Sequence, residues 1–229
     1  MSCFAITSNH PRHMKFLETL YRQIDIPVVI VVDKGPIDQK EADYFKSNLS
    51  LLRKPNIVRC SKHQLHSNFI LQTLSKMDAK VGFVFGAPIL KEEIFSLPKY
   101  GCVNIHTGLV NKYRGVDSSL WALHNGDFDS IGATLHHINA SIDTGDVIGM
   151  KTSEIDRFDN VDTIFYKSCQ VGFNLLESHL DDIMHGKTKS IKLKNKGKLY
   201  QNKDRTTEVV KKAEKNLRSY INENYFRSL

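Results

Sequence analysis

The sequence predicts an α/β fold with a mostly parallel sheet and flanking helices. Three observations predict it. Short apolar runs of strand length alternate with longer segments whose apolar residues recur at helical spacing. The run PVVIVV at 27–32 is apolar on both faces, as a buried parallel strand must be. The composition, 41% hydrophobic and 25% charged over 229 residues, belongs to a globular chain able to bury a core.

The elements follow in order. Residues 3–7 form a short apolar strand. A helix from Pro11 to about Ile24 places Met14, Leu17, Leu20, Tyr21 and Ile24 on one face. Ser8 or Asn9 is its expected cap, and Pro11 suits the first turn. The strand at 27–32 ends at the turn signal Asp33-Lys34-Gly35-Pro36. Helical patterns recur near 38–52 and 63–77. Residues 80–85 (KVGFVF) read as a strand, 91–97 as a short helix and 102–106 as a strand. A helix at 118–124, strands at 131–138 and 147–155, and a long helix at 161–185 complete the body.

The character changes after Gly186. Residues 187–229 carry 13 Lys and Arg against 4 Asp and Glu, a net +9, whereas residues 1–186 carry 19 against 21, a net −2. The expected division is therefore a body at 1–186 and a short basic extension at 187–229. Alternating Ile191-Lys192-Leu193-Lys194 before the turn signal Asn195-Lys196-Gly197 predicts a β-hairpin. A final helix follows, capped by Thr206 or Thr207, with Val209, Val210, Ala213, Leu217 and Ile221 as its stripe. Such a tail is either a solvated basic surface or an attractor of phosphate-bearing partners.

The first residues have neither a basic segment nor an apolar one of signal-peptide type, and no apolar run approaches the ~18 residues of a membrane span. A cytoplasmic protein with no membrane partner is expected. The four scattered cysteines, without CxxC, read as buried thiols of a reducing compartment.

Unusual residues are densest at 101–146. Asn104 and His106 are two apart at the end of a strand, so both side chains leave one face. The carboxyl end of a parallel strand is where open α/β sheets bind ligands. On spacing alone, the pair reads equally as strand-end side chains making turn hydrogen bonds. Asp143 follows the next strand in ASIDTGD, by itself a common loop signature. An amide, an imidazole and a carboxylate brought together could stabilise an oxyanion and move a proton. His63/His66 have helical spacing but no evident acidic or Cys partner, and adjacent His136 and His137 point to opposite faces of a strand, so no metal is expected.

The segments NIHTGLVNKYRG and GATLHHINASIDTGD together resemble the folate-dependent formyltransferase family. The match runs from about Lys80 to Gly149, with a looser one from the N-terminus. The resemblance implies a Rossmann-like fold and an N-formyltransferase whose donor is N10-formyltetrahydrofolate. It places Asn104, His106 and Asp143 at the catalytic positions, with His106 protonated to stabilise the oxyanion and Asp143 holding it and helping to accept the amine's proton. Two departures loosen the first segment: Thr107 and Asn111 stand where the family often has proline.

Residues 80–90 resemble the family's pterin-flanking strand and loop. Phe83, Phe85, Gly86, Ile89, Leu90 and, by the same resemblance, Asn139 are the expected donor contacts. One of the two phenylalanines is expected in the core. The stretch KYRGVDSSLWALHNGD resembles the amino-sugar formyltransferases, whose acceptors are nucleotide-linked. This implies Lys112, Tyr113 and Arg114 on the acceptor side. Ser8, Asn9, His10 and Arg12 precede and open the first helix, and read either as a cap with a solvent-facing Arg12 or as an anion site.

Members acting on initiator tRNA usually carry a C-terminal β-barrel domain, which 43 residues after Gly186 would not supply. The glycinamide ribonucleotide member usually opens with a Gly-Ser-rich loop, unlike TSNHPRH in this chain. The expected partner is thus a nucleotide-linked amino sugar, nucleic acid is disfavoured, and a homodimer is left open. The alternatives are a formyltransferase for another phosphorylated or small amine and a non-catalytic nucleotide- or nucleic-acid-binding module on the same fold.

Overall fold

The computed structural model describes residues 2–46 and 55–226. Strands β1 (Cys3–Ser8), β2 (Val28–Val32) and β3 (Asn56–Cys60) are linked by α1 (Pro11–Tyr21) and α2 (Gln39–Phe45). After α3 (Asn68–Ser75) come β4 (Val81–Phe85), α4 (Glu92–Phe95) and β5 (Cys102–His106). Next are β6 (Tyr113–Gly115), α5 (Ser118–Asn125), β7 (Gly132–His137), β8 (Val147–Thr152) and α6 (Val161–His185). β9 (Lys198–Tyr200) and α7 (Thr207–Ile221) follow.

Seven strands form one sheet in the order β3-β2-β1-β4-β5-β7-β8. Neighbours from β3 to β5 are parallel, and β7 and β8 add antiparallel pairs. The mostly parallel α/β fold expected from the sequence is the one observed. Both faces of β1 and β2 are buried, which explains their unbroken apolar runs. Ala5, Val29 and Val31 face one layer with Leu17 of α1 and Phe173 of α6. Phe4, Ile6, Val28 and Ile30 face the other with Ile70 and Leu74 of α3. The order of connection reverses beside β1, which pairs with β2 on one side and β4 on the other. Such a switch point leaves a crevice at the strands' carboxyl ends.

Several local expectations differ. α1 is preceded by His10 as N-cap, whose side chain makes no capping bond. Ser8 Oγ instead donates to the Val32 carbonyl at 2.7 Å, and Asn9 Oδ1 accepts from Lys34 N–H at 3.0 Å. The helix expected at 38–52 ends at Phe45, where Lys46 turns left-handed at φ 35°, and 47–52 lie outside the described residues. The 63–77 helix shrinks to Asn68–Ser75, capped by Ser67 Oγ on Ile70 N–H. β3 was not expected: its NIVRC sequence is an edge strand with Ile57 exposed, so it lacks an apolar pattern.

The C-terminal hairpin does not form. Ile191 bridges antiparallel to Val147, while β9 pairs in parallel with β6, with Tyr113 opposite Lys198 and Gly115 opposite Tyr200. The physical reason is the aromatic contact. Tyr200 stacks on Trp121 with centroids 4.1 Å apart and is buried with Leu120, Ala213 and Leu217, where a lysine-faced hairpin would have left it in water. α7 forms as expected and packs on α5. Among the described residues, no helix is long and apolar enough to cross a membrane.

Candidate active site

A cavity of about 600 Å³ opens at the carboxyl ends of the strands. The turn after β4 contributes Gly86 to Leu90, the end of β5 contributes Asn104 and His106, and the loop after β7 contributes Asn139 to Asp143. Arg12 reaches it from the first turn of α1, Lys34 from the turn after β2, and Leu199 to Asn202 from the C-terminal segment.

His106 and Asp143 meet in this cavity, 37 residues apart in sequence, with Nδ1 3.3 Å from Oδ2. The other carboxylate oxygen lies 3.5 Å from His136 Nε2. Oδ2 also accepts the Gly115 N–H at 2.8 Å. Asp143 sits left-handed at φ 51°, an uncommon conformation for a residue with a Cβ. Burial alone would raise the Asp143 carboxyl, but His106, His136 and the Gly115 amide outweigh it and hold it well below the ordinary carboxylate range.

His106 Nε2 lies 3.0 Å from the Tyr113 carbonyl and 2.9 Å from Ser118 Oγ. Burial pushes its pKa below the ordinary histidine value, with Asp143 opposing and His136 and Arg114 assisting the fall. The charged resting imidazole expected from the sequence is therefore disfavoured. The neutral ring fits with Nδ1–H donating to Asp143 and the Ser118 hydroxyl donating to Nε2.

Sequence reasoning missed His136 as part of this cluster. Its Nδ1–H donates to the His137 carbonyl at 2.8 Å, and its Nε2 faces both the Asn104 amide at 3.2 Å and Asp143 Oδ1 at 3.5 Å. The Asn104 side chain thus stands at the cavity beside both His136 and the Asp143 carboxylate. The signal was the strand period: His136 pairs with Asn104 across β5 and β7, so both stand on one face. His136 is buried and His137 is half-exposed, as adjacent strand residues should differ.

The loop without its two prolines is pinned by another route. Buried Thr134 Oγ1 donates to the Gly108 carbonyl at 2.7 Å and accepts the Val110 N–H at 3.2 Å. The departures at Thr107 and Asn111 leave an anchored loop.

Of the expected donor contacts, Phe85, Gly86, Ile89, Leu90 and Asn139 line the cavity. Phe83 does not: it is fully buried one residue pair deeper in β4 and belongs to the core. Val84, Ile138 and the left-handed Gly86 complete an apolar wall with a close backbone approach. A Cβ on Gly86 would lie 2.2 Å from the His13 ring, so glycine is required there.

The expected acceptor contacts fare differently. Arg12 lines the cavity, paired with the buried Glu41 carboxylate and 5.4 Å over the Phe165 ring. Ser8, Asn9 and His10 do not line it, since the first two are spent on backbone groups and His10 leans on Glu41 at 3.9 Å. Lys112 lies outside the cavity lining, and Tyr113 packs inward, its hydroxyl donating to Asp127 Oδ2 at 3.2 Å. Arg114 is committed to two backbone carbonyls, Gly197 at 2.7 Å and Ile142 at 3.0 Å. Lys34 and the 199–202 segment were not foreseen, because tertiary pairing brings them in.

Comparison with known proteins gives a consistent relationship. A family model described as formyl transferase matches residues 5–179. Among curated relatives, the methionyl-tRNA formyltransferase of Ehrlichia canis is 34% identical over 128 residues, covering 56% of this chain and 41% of its own. The chain spans about two fifths of the length of the first such relatives. Among solved structures, a sugar N-formyltransferase from Shewanella sp has a TM-score of 0.68 at 17% identity, covering 95% of this chain and 88% of its own. An N-formyltransferase from Helicobacter canadensis, solved with folinic acid and dTDP-3-aminofucose, has a TM-score of 0.64 at 17% identity, covering 95% and 81%. At those identities the structures speak for a shared fold.

Proposed function

The chain belongs to the formyl transferase family, and from that premise we propose that it moves a formyl group from N10-formyltetrahydrofolate to the primary amine of a nucleotide-linked amino sugar. The observation that carries the chemistry is the meeting of Asn104, His106 and Asp143 in one cavity, with His106 and Asp143 at 3.3 Å. In this reading residues 1–186 carry the chemistry in a cytoplasmic enzyme, and 187–229 are an appended segment.

The residues fit a folate. Val84, Ile89, Leu90 and Ile138 offer an apolar wall, and the turn at Gly86 offers backbone groups for a ring edge. The donor supplies an activated formyl carbon. Asn104 presents an amide N–H to the formyl oxygen, where negative charge develops as the amine adds. One such donor is worth roughly 10²–10³ in rate. The Asp143–His106 pair receives the amine's proton and is placed to return it to the departing N10 nitrogen as the bond between that nitrogen and the formyl carbon breaks. The carboxylate, already ionised, stabilises the imidazolium that forms, which reverses the resting charge expected from sequence.

For the acceptor, Arg12 and Lys34 bring two cations to one side of the cavity, where Glu41 pairs with Arg12, while the lining carboxylates Asp117 and Asp143 are paired with Arg205 and His106; this suits a diphosphate on the Arg12–Lys34 side. The Helicobacter canadensis relative, solved with a dTDP-linked amino sugar, agrees with this class. A second reading, an aminoacyl-tRNA acceptor, is favoured by the names of the curated relatives at 34% identity. An acceptor panel decides: nucleoside-diphosphate amino sugars, the free amino sugars and methionyl-tRNA, each with N10-formyltetrahydrofolate and product mass as readout. Formylation of the nucleotide-linked sugars alone supports the proposal. Formylation of methionyl-tRNA alone replaces it with the second reading.

A further inference from the structure

Asp143 is held from two directions by one short strand. On one side, the Gly115 N–H of β6 donates to its carboxylate at 2.8 Å. On the other, the Arg114 side chain reaches the peptide immediately before it, Nη1 donating to the Ile142 carbonyl at 3.0 Å. The same guanidinium donates through Nε to the Gly197 carbonyl at 2.7 Å, just before β9. The first residue of β6, Tyr113, sets its carbonyl 3.0 Å from His106 Nε2, placed to accept a hydrogen bond from a proton that Nε2 takes up. β6 is in turn paired along its length with β9.

This arrangement needs an arginine. The planar guanidinium has donors in fixed directions, so two carbonyls far apart in sequence are bound at once by one rigid group. A lysine ammonium is a point charge on a flexible stem and holds one of them at a time. The peptide it grips carries the left-handed Asp143, φ 51°, a conformation that persists only where surroundings impose it.

We propose that Arg114 is a positioning residue: it locks the 142–143 peptide to the C-terminal segment and so keeps the Asp143 carboxylate on His106. The inference rests on the reading of His106 and Asp143 as the reacting pair. It gives the C-terminal segment a role distinct from long-range attraction of phosphate, since Gly197 becomes part of the frame of the site.

The test is a double-mutant cycle on the full chain. Arg114→Lys, which keeps the charge, should lower kcat roughly 10- to 100-fold, the scale on which an ångström of misplacement acts, with KM for donor and acceptor unchanged. In an Asp143→Asn background the same substitution should cost almost nothing, because its effect runs through the carboxylate. If Arg114→Lys fails to fold, Arg114→Gln enters the same cycle. Additive losses, a loss expressed in KM, or wild-type kcat would overturn the proposal. A second readout does not need activity. In ring-labelled histidine NMR, the His106 titration of Arg114→Lys should move down towards that of Asp143→Asn. An unmoved titration overturns the positioning role. A wild-type chain that transfers no formyl group to any acceptor sinks the functional reading instead and leaves the NMR arm to decide this one.

Discussion

The Asp143 carboxylate lies 3.3 Å from His106 Nδ1, in a place where burial works against charge on both groups. The pair resolves this conflict by keeping one charge: Asp143 is ionised and the His106 ring is neutral. A resting acceptor for a proton is the result.

The first prediction concerns pH. His106 has its pKa below the ordinary 6.5, so the neutral ring is already dominant at pH 6.5. The acid limb of kcat/KM, which reports the free enzyme, should therefore fall below pH 6.5. An acid limb above that value, absent in an acceptor of lower amine pKa, would assign the limb to the amine. One above it for every acceptor would contradict a neutral resting His106.

A second prediction concerns acid stability. His13 is fully buried, its Nδ1–H donating to Thr7 Oγ1 at 2.9 Å, and burial pushes its pKa well below 6.5. Between the folded value and 6.5 the unfolded chain binds a proton there that the folded chain does not. Stability is thus full above about pH 6.5 and falls as pH drops, with a limiting slope of about 1.4 kcal/mol per pH unit from this one group. His13→Gln should flatten the chemical-denaturation stability curve between pH 4 and 6.5, measured relative to the parent. An unchanged slope would show that His13 protonates freely in the folded chain.

Gly86→Ala is the third. The site combines φ +61° with a Cβ position 2.2 Å from His13. The change should cost on the order of 1–3 kcal/mol from strain and overpacking, and should raise KM for the folate more than KM for the acceptor. Differential scanning calorimetry and steady-state kinetics check both halves, and a neutral effect on both would mean that the 86–90 turn is free to shift.

A fourth prediction separates anion binding from ion-pair stability. Arg12→Ala leaves the Glu41 carboxylate, which is 4% exposed, with only the residue-12 backbone N–H at 3.0 Å and His10 at 3.9 Å, and should destabilise the fold by up to roughly 3–5 kcal/mol. Adding Glu41→Gln should recover much of that. Lys34→Gln, on the exposed rim, should leave stability alone and raise KM for a nucleotide-linked acceptor roughly tenfold, as loss of a charge-assisted bond of about 1.5–3 kcal/mol would. Equal effects on a phosphate-free amine would remove the phosphate argument.

The residues behind these predictions differ in how legible they are before folding. The parallel core strands are legible because β1, β2 and β4 bury both faces and are apolar but for Thr7 and Ser8 at the end of β1. Edge strand β3 is not, because Asn56, Ile57 and Arg59 face water. Asn104 and His106 are legible from the strand period, and Asp143 from its loop. His136, Lys34 and Gln201 are not, because only cross-strand pairing and the docking of the C-terminal segment bring them to the cavity. Arg114 reads as a substrate contact because a cation in the KYRG motif gives no hint that two backbone carbonyls will consume it. Phe83 and Phe85 share a face and both belong to the core, and depth along β4 alone brings Phe85 to the cavity as well.

The most direct check on the mechanism is single-turnover formyl transfer from N10-formyltetrahydrofolate to a nucleoside-diphosphate amino sugar, by the parent chain, His106→Ala and Asp143→Asn, with circular dichroism on each. The parent chain should place one formyl group on the amine, and each folded variant should do so at a rate at least ~10² lower. Folded variants that transfer formyl at the parent rate would contradict the assignment of His106 and Asp143 as the reacting pair.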